Sequence, residues 1–193
     1  RSQNLPKDRI EKAISQASNN NDGANYDEMR YEGFATAGIA VIVEALTDNR
    51  NRTAADVRAA FSKYGGNLGE TGSVSFMFDR YGIIEFAASV AGSDEIFETA
   101  LEAGAEDIVT NKNSYIIYIA VDSYNEALDM LSQKYGDPLE SKLGWKPQNI
   151  VTISDRDKAE KLLKMIELLE DNDDIQNVFS NFEITDEICD ELL

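Results

Sequence analysis

The residue types able to do chemistry are few in this chain, and their absence narrows its function more than any single motif. There is no histidine and one cysteine, Cys189, against 36 aspartates and glutamates. Without an imidazole, neither a Ser-His-Asp nor a Cys-His relay can be assembled, and the histidine-bearing zinc sites go with them. One cysteine makes neither a four-thiolate zinc site nor an intrachain disulfide, and it fits a reducing compartment. Cys189 lies in an acidic segment, a poor setting for a thiolate nucleophile. Carboxylate pairs for acid–base work can be drawn almost anywhere in so acidic a chain, so none stands out. The composition points to a non-enzymatic protein with no metal and no cofactor.

The other chemistry on offer is cationic. Between Thr47 and Gly66, Arg50, Arg52, Arg58 and Lys63 outnumber Asp48 and Asp56, in a chain of net charge −18. Four cations held together in an acidic protein either brace it internally or meet an anion. Arg50 and Arg52 precede the start of a helix, where the backbone N–H groups already favour negative charge, so their position is awkward for pure stabilisation. Asp48, Asp56 and Glu70 lie close enough in sequence to neutralise them, and both readings stand. The glycines of Gly66-Asn67-Leu68-Gly69 and Gly69-Glu70-Thr71-Gly72 repeat the G-x-x-G spacing that KH domains use to clamp a nucleic-acid backbone. Here they join a helix to a strand rather than two helices, so they read as a helix stop and a turn. No P-loop and no dinucleotide-binding glycine motif can be aligned.

The elements that must carry these residues follow from periodicity. Ile10, Ala13, Ile14 and Ala17 mark an N-terminal helix, and residues 18–25, SNNNDGAN, form a polar linker without the spacing of a calcium loop. Glu28–Phe34 and Ile39–Leu46 read as strands around the turn Ala35-Thr36-Ala37-Gly38. Thr53 is expected to cap the helix whose apolar stripe is Val57, Ala60, Phe61 and Tyr64, and Gly65-Gly66 to end it. Gly72–Phe78 alternates as a half-buried strand. Strand 81–86, a helix opening at Ser93, a hairpin at Asn111-Lys112-Asn113, a helix with the capping box Ser123/Glu126, and a strand region 142–153 give the order β-α-β-β-α-β. Trp145 in that last region reads as a core or interface anchor. A helix capped by Ser154, with the stripe Ala159, Leu162, Leu163 and Ile166, and a strand over 178–184 follow. Asp171 to Asp174 reads as a solvated exit between them.

The fold class expected is α+β, with two ferredoxin-like units, one inserted into the other. The domains are 1–25, a helix and linker; 26–79 with 154–184, a discontinuous unit; 80–153, the insertion; and 185–193, an acidic tail that frays. The charge disfavours a membrane surface, and the longest apolar runs are too short to span a bilayer.

At this level of detail the residues identify a family. The stretch TDNRNRTAADVRAAFSKYGGNLGETGSVSFMF, preceded by YEGF and IAVIVEAL, closely resembles the YebC/PmpR family, and the likeness runs from Asn4 through Trp145-Lys146-Pro147 to the 174–184 segment. Thr36 stands where the family usually carries proline. The resemblance implies three domains, of which the basic helical first is represented here only by its last helix, about Arg1 to Ala17. It also implies a cytoplasmic bacterial regulator of gene expression, described for most relatives as DNA-binding; a mitochondrial branch, which includes the translational activator of cytochrome c oxidase subunit one, and some bacterial members act on translation at the ribosome. The implied partner is nucleic acid, DNA or RNA, contacted mainly by the basic first domain. In this chain Arg50, Arg52, Arg58 and Lys63 are the candidate contacts. Thr53, Gly65, Gly66, Gly69 and Gly72 form the structural part of the signature.

Overall fold

A computed structural model of the protein describes residues 25–192. In chain order the elements are β1 (Asp27–Phe34), β2 (Ala40–Thr47), α1 (Arg50–Lys63), β3 (Asn67–Leu68), β4 (Phe78–Ala87), α2 (Ser93–Glu102), β5 (Ala105–Thr110), β6 (Ser114–Ile119), α3 (Tyr124–Tyr135), β7 (Glu140–Pro147), β8 (Val151–Ile153), α4 (Arg156–Glu170), β9 (Ile175–Ser180), β10 (Phe182–Ile184) and α5 (Asp186–Leu192). The protein is an α+β chain with two four-stranded sheets. It divides into two compact units, one of residues up to Asp79 together with those from Pro147 onward, the other Arg80–Lys146. The helix and linker expected before residue 25 lie outside the described residues.

In the first unit the sheet order is β3-β1-β2-β9, with β2 antiparallel to both neighbours. Alternate residues of β2, Val41, Val43 and Ala45, point at α1 and α4, which return Val57, Ala60 and Phe61 and Ala159, Leu162, Met165 and Leu169. That is the period of two meeting the period of 3.6, and it makes the core. On α4 the buried face runs through Met165 and Leu169 rather than Leu163, which is exposed. The strand read over 178–184 is two strands broken at Asn181. Its side-chain oxygen accepts from the Ala40 N–H at 2.9 Å, and its carbonyl accepts from the Val151 N–H at 2.7 Å. Beyond the break β10 leaves the main sheet and pairs in parallel with β8. The strand region read over 142–153 is accordingly two strands, β7 and β8. Residues 186–192 form α5, which sets Ile188 and Leu192 against the core, so the tail is not frayed there.

The second unit has the order β4-α2-β5-β6-α3-β7 and the sheet order β5-β6-β4-β7. That is the split βαβ arrangement, with the first and third strands central. Ile84, Phe86, Tyr115, Ile117 and Ile119 face Ile96, Ala100, Ala127 and Leu131 from the two helices. Trp145 lies half-buried in this unit with the Arg80 guanidinium 4.9 Å from its ring centre.

Three caps differ from expectation. Asn49, not Thr53, caps α1, accepting from the Arg52 N–H at 3.0 Å. Asp155, not Ser154, caps α4, accepting from the Lys158 N–H at 3.1 Å. Ser123 makes no side-chain cap bond, because a 3-10 turn over Val121–Ser123 leads directly into α3.

Candidate nucleic-acid interface

The signature segment is held in place by a glutamate from β1. Glu32 is 0% exposed, and its carboxylate accepts from the backbone N–H groups of Gly72 at 2.7 Å, Val74 at 3.2 Å and Ser75 at 2.6 Å. Its carbonyl accepts from the Gly69 N–H at 2.8 Å, and the Arg30 Nε lies 3.2 Å from the same carboxylate. Burial alone would push this carboxyl up; the N–H groups of Gly72 and Ser75, the Ser75 side chain and the Val74 N–H outweigh it and hold the pKa below the usual glutamate value. The same bonds explain why Gly72–Phe78 is not a strand. The N–H groups that would build a ladder go to the carboxylate, and residues 75–77 form a 3-10 turn. Val74 and Phe78 are buried while Phe76, on the same alternation, is 66% exposed.

Gly65 and Gly66 end α1 as the sequence indicates. Gly65 takes φ +80°, and Gly66 donates its N–H to the Phe61 carbonyl at 2.8 Å while Gly65 donates to Ser62 at 3.4 Å. These are the paired bonds of a Schellman stop. Gly66 is also required by space, because a Cβ there would stand 2.6 Å from the Phe34 carbonyl oxygen. Gly69 and Gly72 belong to the turn that wraps Glu32.

The four cations separate into two pairs. Arg50 and Arg52 lie inside the first turn of α1, not on the loop before it. Arg50 donates from Nε to Asp27 at 2.9 Å. Arg52 places Nη2 2.9 Å from each oxygen of Asp174 and Nε 3.1 Å from one of them, with Asp48 a further 2.9 Å contact. Asp174 is 8% exposed and also accepts from the Thr53 hydroxyl at 2.8 Å, while its backbone carbonyl accepts from the Leu46 N–H at 2.8 Å. Thr53 is thus a buried cross-brace, with its hydroxyl 2.7 Å from that of Thr47, and the 171–174 segment supplies a structural anion rather than a solvated exit. These carboxylates offset the conflict between two arginines and the helix dipole. Hydrogen bonds to Asp174 and then Asp48 raise the Arg52 pKa, and the bond to Asp27 does so for Arg50.

Arg58 and Lys63 lie toward the other end of the helix. Arg58 is exposed and has no ion-pair partner among the described residues. Lys63 is exposed, with its Nζ 5.2 Å from the centre of the Tyr64 ring. Lys63 and Tyr64 line a groove of about 380 Å³ whose other wall is Asp157, Glu160, Lys161 and Lys164 of α4. Lys164 binds Glu160 at 2.5 Å, an i,i+4 pair that lowers the glutamate pKa and raises that of the lysine. Lys161 and Lys164 escape a reading by charge because α4 carries as many acids as bases; the available signal is that they lie between the apolar positions Ala159, Leu162 and Met165, and so face outward.

Among the described residues no group of three or more His, Cys, Asp or Glu is placed to hold a metal ion, and no helix is long and apolar enough to cross a membrane. Comparison with known proteins assigns the chain. A family profile described as "TACO1/YebC second and third domain" matches residues 26–182. A probable transcriptional regulatory protein of Rickettsia bellii is 54% identical over 188 residues, which cover 97% of this chain and 73% of the relative. One from Rickettsia conorii is 50% identical, with 97% and 74% covered. The crystal structure of a conserved hypothetical protein from Aquifex aeolicus, Aq1575, is similar at a TM-score of 0.82 and 38% identity, covering 95% of this chain and 84% of that one. With its signature segment folded around Glu32 and its profile match running from β1 into β10, the chain belongs to the YebC/PmpR family, which is also the family of TACO1.

Proposed function

We propose that this protein is a non-enzymatic regulator of gene expression that works by contacting nucleic acid. Its relatives carry the name probable transcriptional regulatory protein, which supports the regulatory part of the reading. One observation carries the contact. On a chain of net charge −18, the outer face of α1 presents Arg58 and Lys63 with no carboxylate bonded to them among the described residues. Surface cations left unneutralised in an acidic protein suit phosphate, and such contacts position a polymer without reading its sequence.

The test is fluorescence anisotropy with labelled duplex DNA and single-stranded RNA of equal length, titrated over a range of salt. The expected result is weak binding, with Kd of about 10⁻⁴–10⁻⁶ M, that falls linearly in log K against log salt. Preference for the duplex supports action on transcription, and preference for the RNA supports action on translation. No binding to either polymer at about 50 mM salt contradicts the proposal.

A further inference from the structure

We infer that the groove between α1 and α4 seats the backbone of a single nucleic-acid strand, with one phosphodiester among Lys63, Lys161 and Lys164 and the adjoining base on the ring of Tyr64. This deepens the proposed function and rests on it. The groove is lined by three ammonium groups and two carboxylates. Its lining carries one more cation than anions, in a molecule with 36 acids against 18 bases, and Glu167 acts on Lys164 from the next turn of α4. Of the two carboxylates, Glu160 is tied to Lys164, and Asp157 lies in the first turn of α4, where the helix dipole offsets its charge. Lys161 has no ion pair among the described residues, and Lys63 leans on an aromatic ring rather than a carboxylate. Two cations are therefore available at no loss of an internal pair.

The groove is open to solvent and holds about 380 Å³. Tyr64 packs on the core cluster that includes Phe61 of α1 and Leu162 and Met165 of α4. An ordered ring loses little freedom when a base stacks on it. Stacking needs an unpaired base, which points to a single strand, and contact with backbone and ring faces makes the site tolerant of sequence.

The test uses the 193-residue chain with a labelled single-stranded oligouridylate, the matching oligothymidylate and inorganic phosphate, alongside Lys63→Glu, Lys161→Glu and Tyr64→Leu. Lys112→Glu, at the tip of the β5–β6 hairpin, is the control, and urea midpoints confirm that each variant is folded. Lys63→Glu and Lys161→Glu are each expected to weaken oligonucleotide binding about fivefold or more and to reduce the salt slope by about one, with Lys112→Glu unchanged. Tyr64→Leu is expected to weaken oligonucleotide binding about fivefold and to leave phosphate binding alone. Tighter binding of the oligouridylate or of the oligothymidylate identifies RNA or DNA as the source of the strand. Oligonucleotide binding by the parent chain that survives both lysine reversals overturns the groove and leaves the proposed function standing. Absence of oligonucleotide binding by the parent chain overturns the groove.

Discussion

The two ends of α1 carry cations of the same kind and use them differently. At its start, Arg50 and Arg52 meet Asp27, Asp48 and the nearly buried Asp174, and they join β1, the end of β2 and the turn before β9. Toward its finish, Arg58 and Lys63 face outward, and Lys63 opens onto a groove shared with α4. The difference comes from the tertiary surroundings of the helix. Acids cluster where the sheet delivers them to the helix start, and a glycine stop follows where the chain turns away. A basic stretch is therefore not one functional unit, since half of it completes the fold.

That contrast makes ordered predictions. The largest loss of stability is expected from Asp174→Ala, which removes the nearly buried carboxylate that the Arg52 guanidinium and the Thr53 hydroxyl share. It should lower unfolding free energy by about 2–4 kcal/mol, read from the urea midpoint, without altering nucleic-acid affinity of the folded protein. Gly66→Ala comes next, because its Cβ meets the Phe34 carbonyl oxygen, which belongs to the backbone and cannot swing aside. A loss of about 1–3 kcal/mol is expected, with no effect on binding.

Glu32→Gln should cost about 1–2 kcal/mol at neutral pH, since an amide replaces a carboxylate that accepts from three backbone N–H groups. The folded pKa of Glu32 is lowered, so its stabilisation is complete above the unfolded glutamate pKa and is lost as pH falls through the lower folded value. Urea midpoints measured from neutral pH into the acid range should therefore fall less steeply in the variant than in the parent. The smallest effect on stability is expected from Arg58→Glu and Lys63→Glu, within about 0.5 kcal/mol of the parent, while both weaken binding.

Much of the fold was legible because local pattern and tertiary role agree. The apolar run of the strand over 39–46, the stripe of Val57, Ala60 and Phe61, the glycine stop and the β-α-β-β-α-β order each follow from patterning that the core then uses. The strand read over 72–78 failed because Val74, Phe76 and Phe78 alternate whether the segment is extended or wound into a 3-10 turn. What decides is a carboxylate some forty residues earlier in the chain. Two caps failed by position, one turn early at Asn49 in place of Thr53 and one residue late at Asp155 in place of Ser154, since both are equally good oxygen acceptors. The candidate site was legible only in part. Arg52 and Asp174 are 122 positions apart, so no local spacing shows that the arginine is already engaged. Lys161 and Lys164 escaped notice because their helix is neutral overall, and only its packing on α1 brings them beside Lys63.

The division of α1 is tested most directly by reversing one cation at each end, as Arg52→Glu and Lys63→Glu, and measuring both the urea midpoint and oligonucleotide affinity of each. Arg52→Glu is predicted to lower the midpoint while the folded fraction binds as the parent does, and Lys63→Glu to keep the midpoint and lose affinity. A stable Arg52→Glu protein that no longer binds, or a Lys63→Glu protein that binds unchanged, would contradict that division.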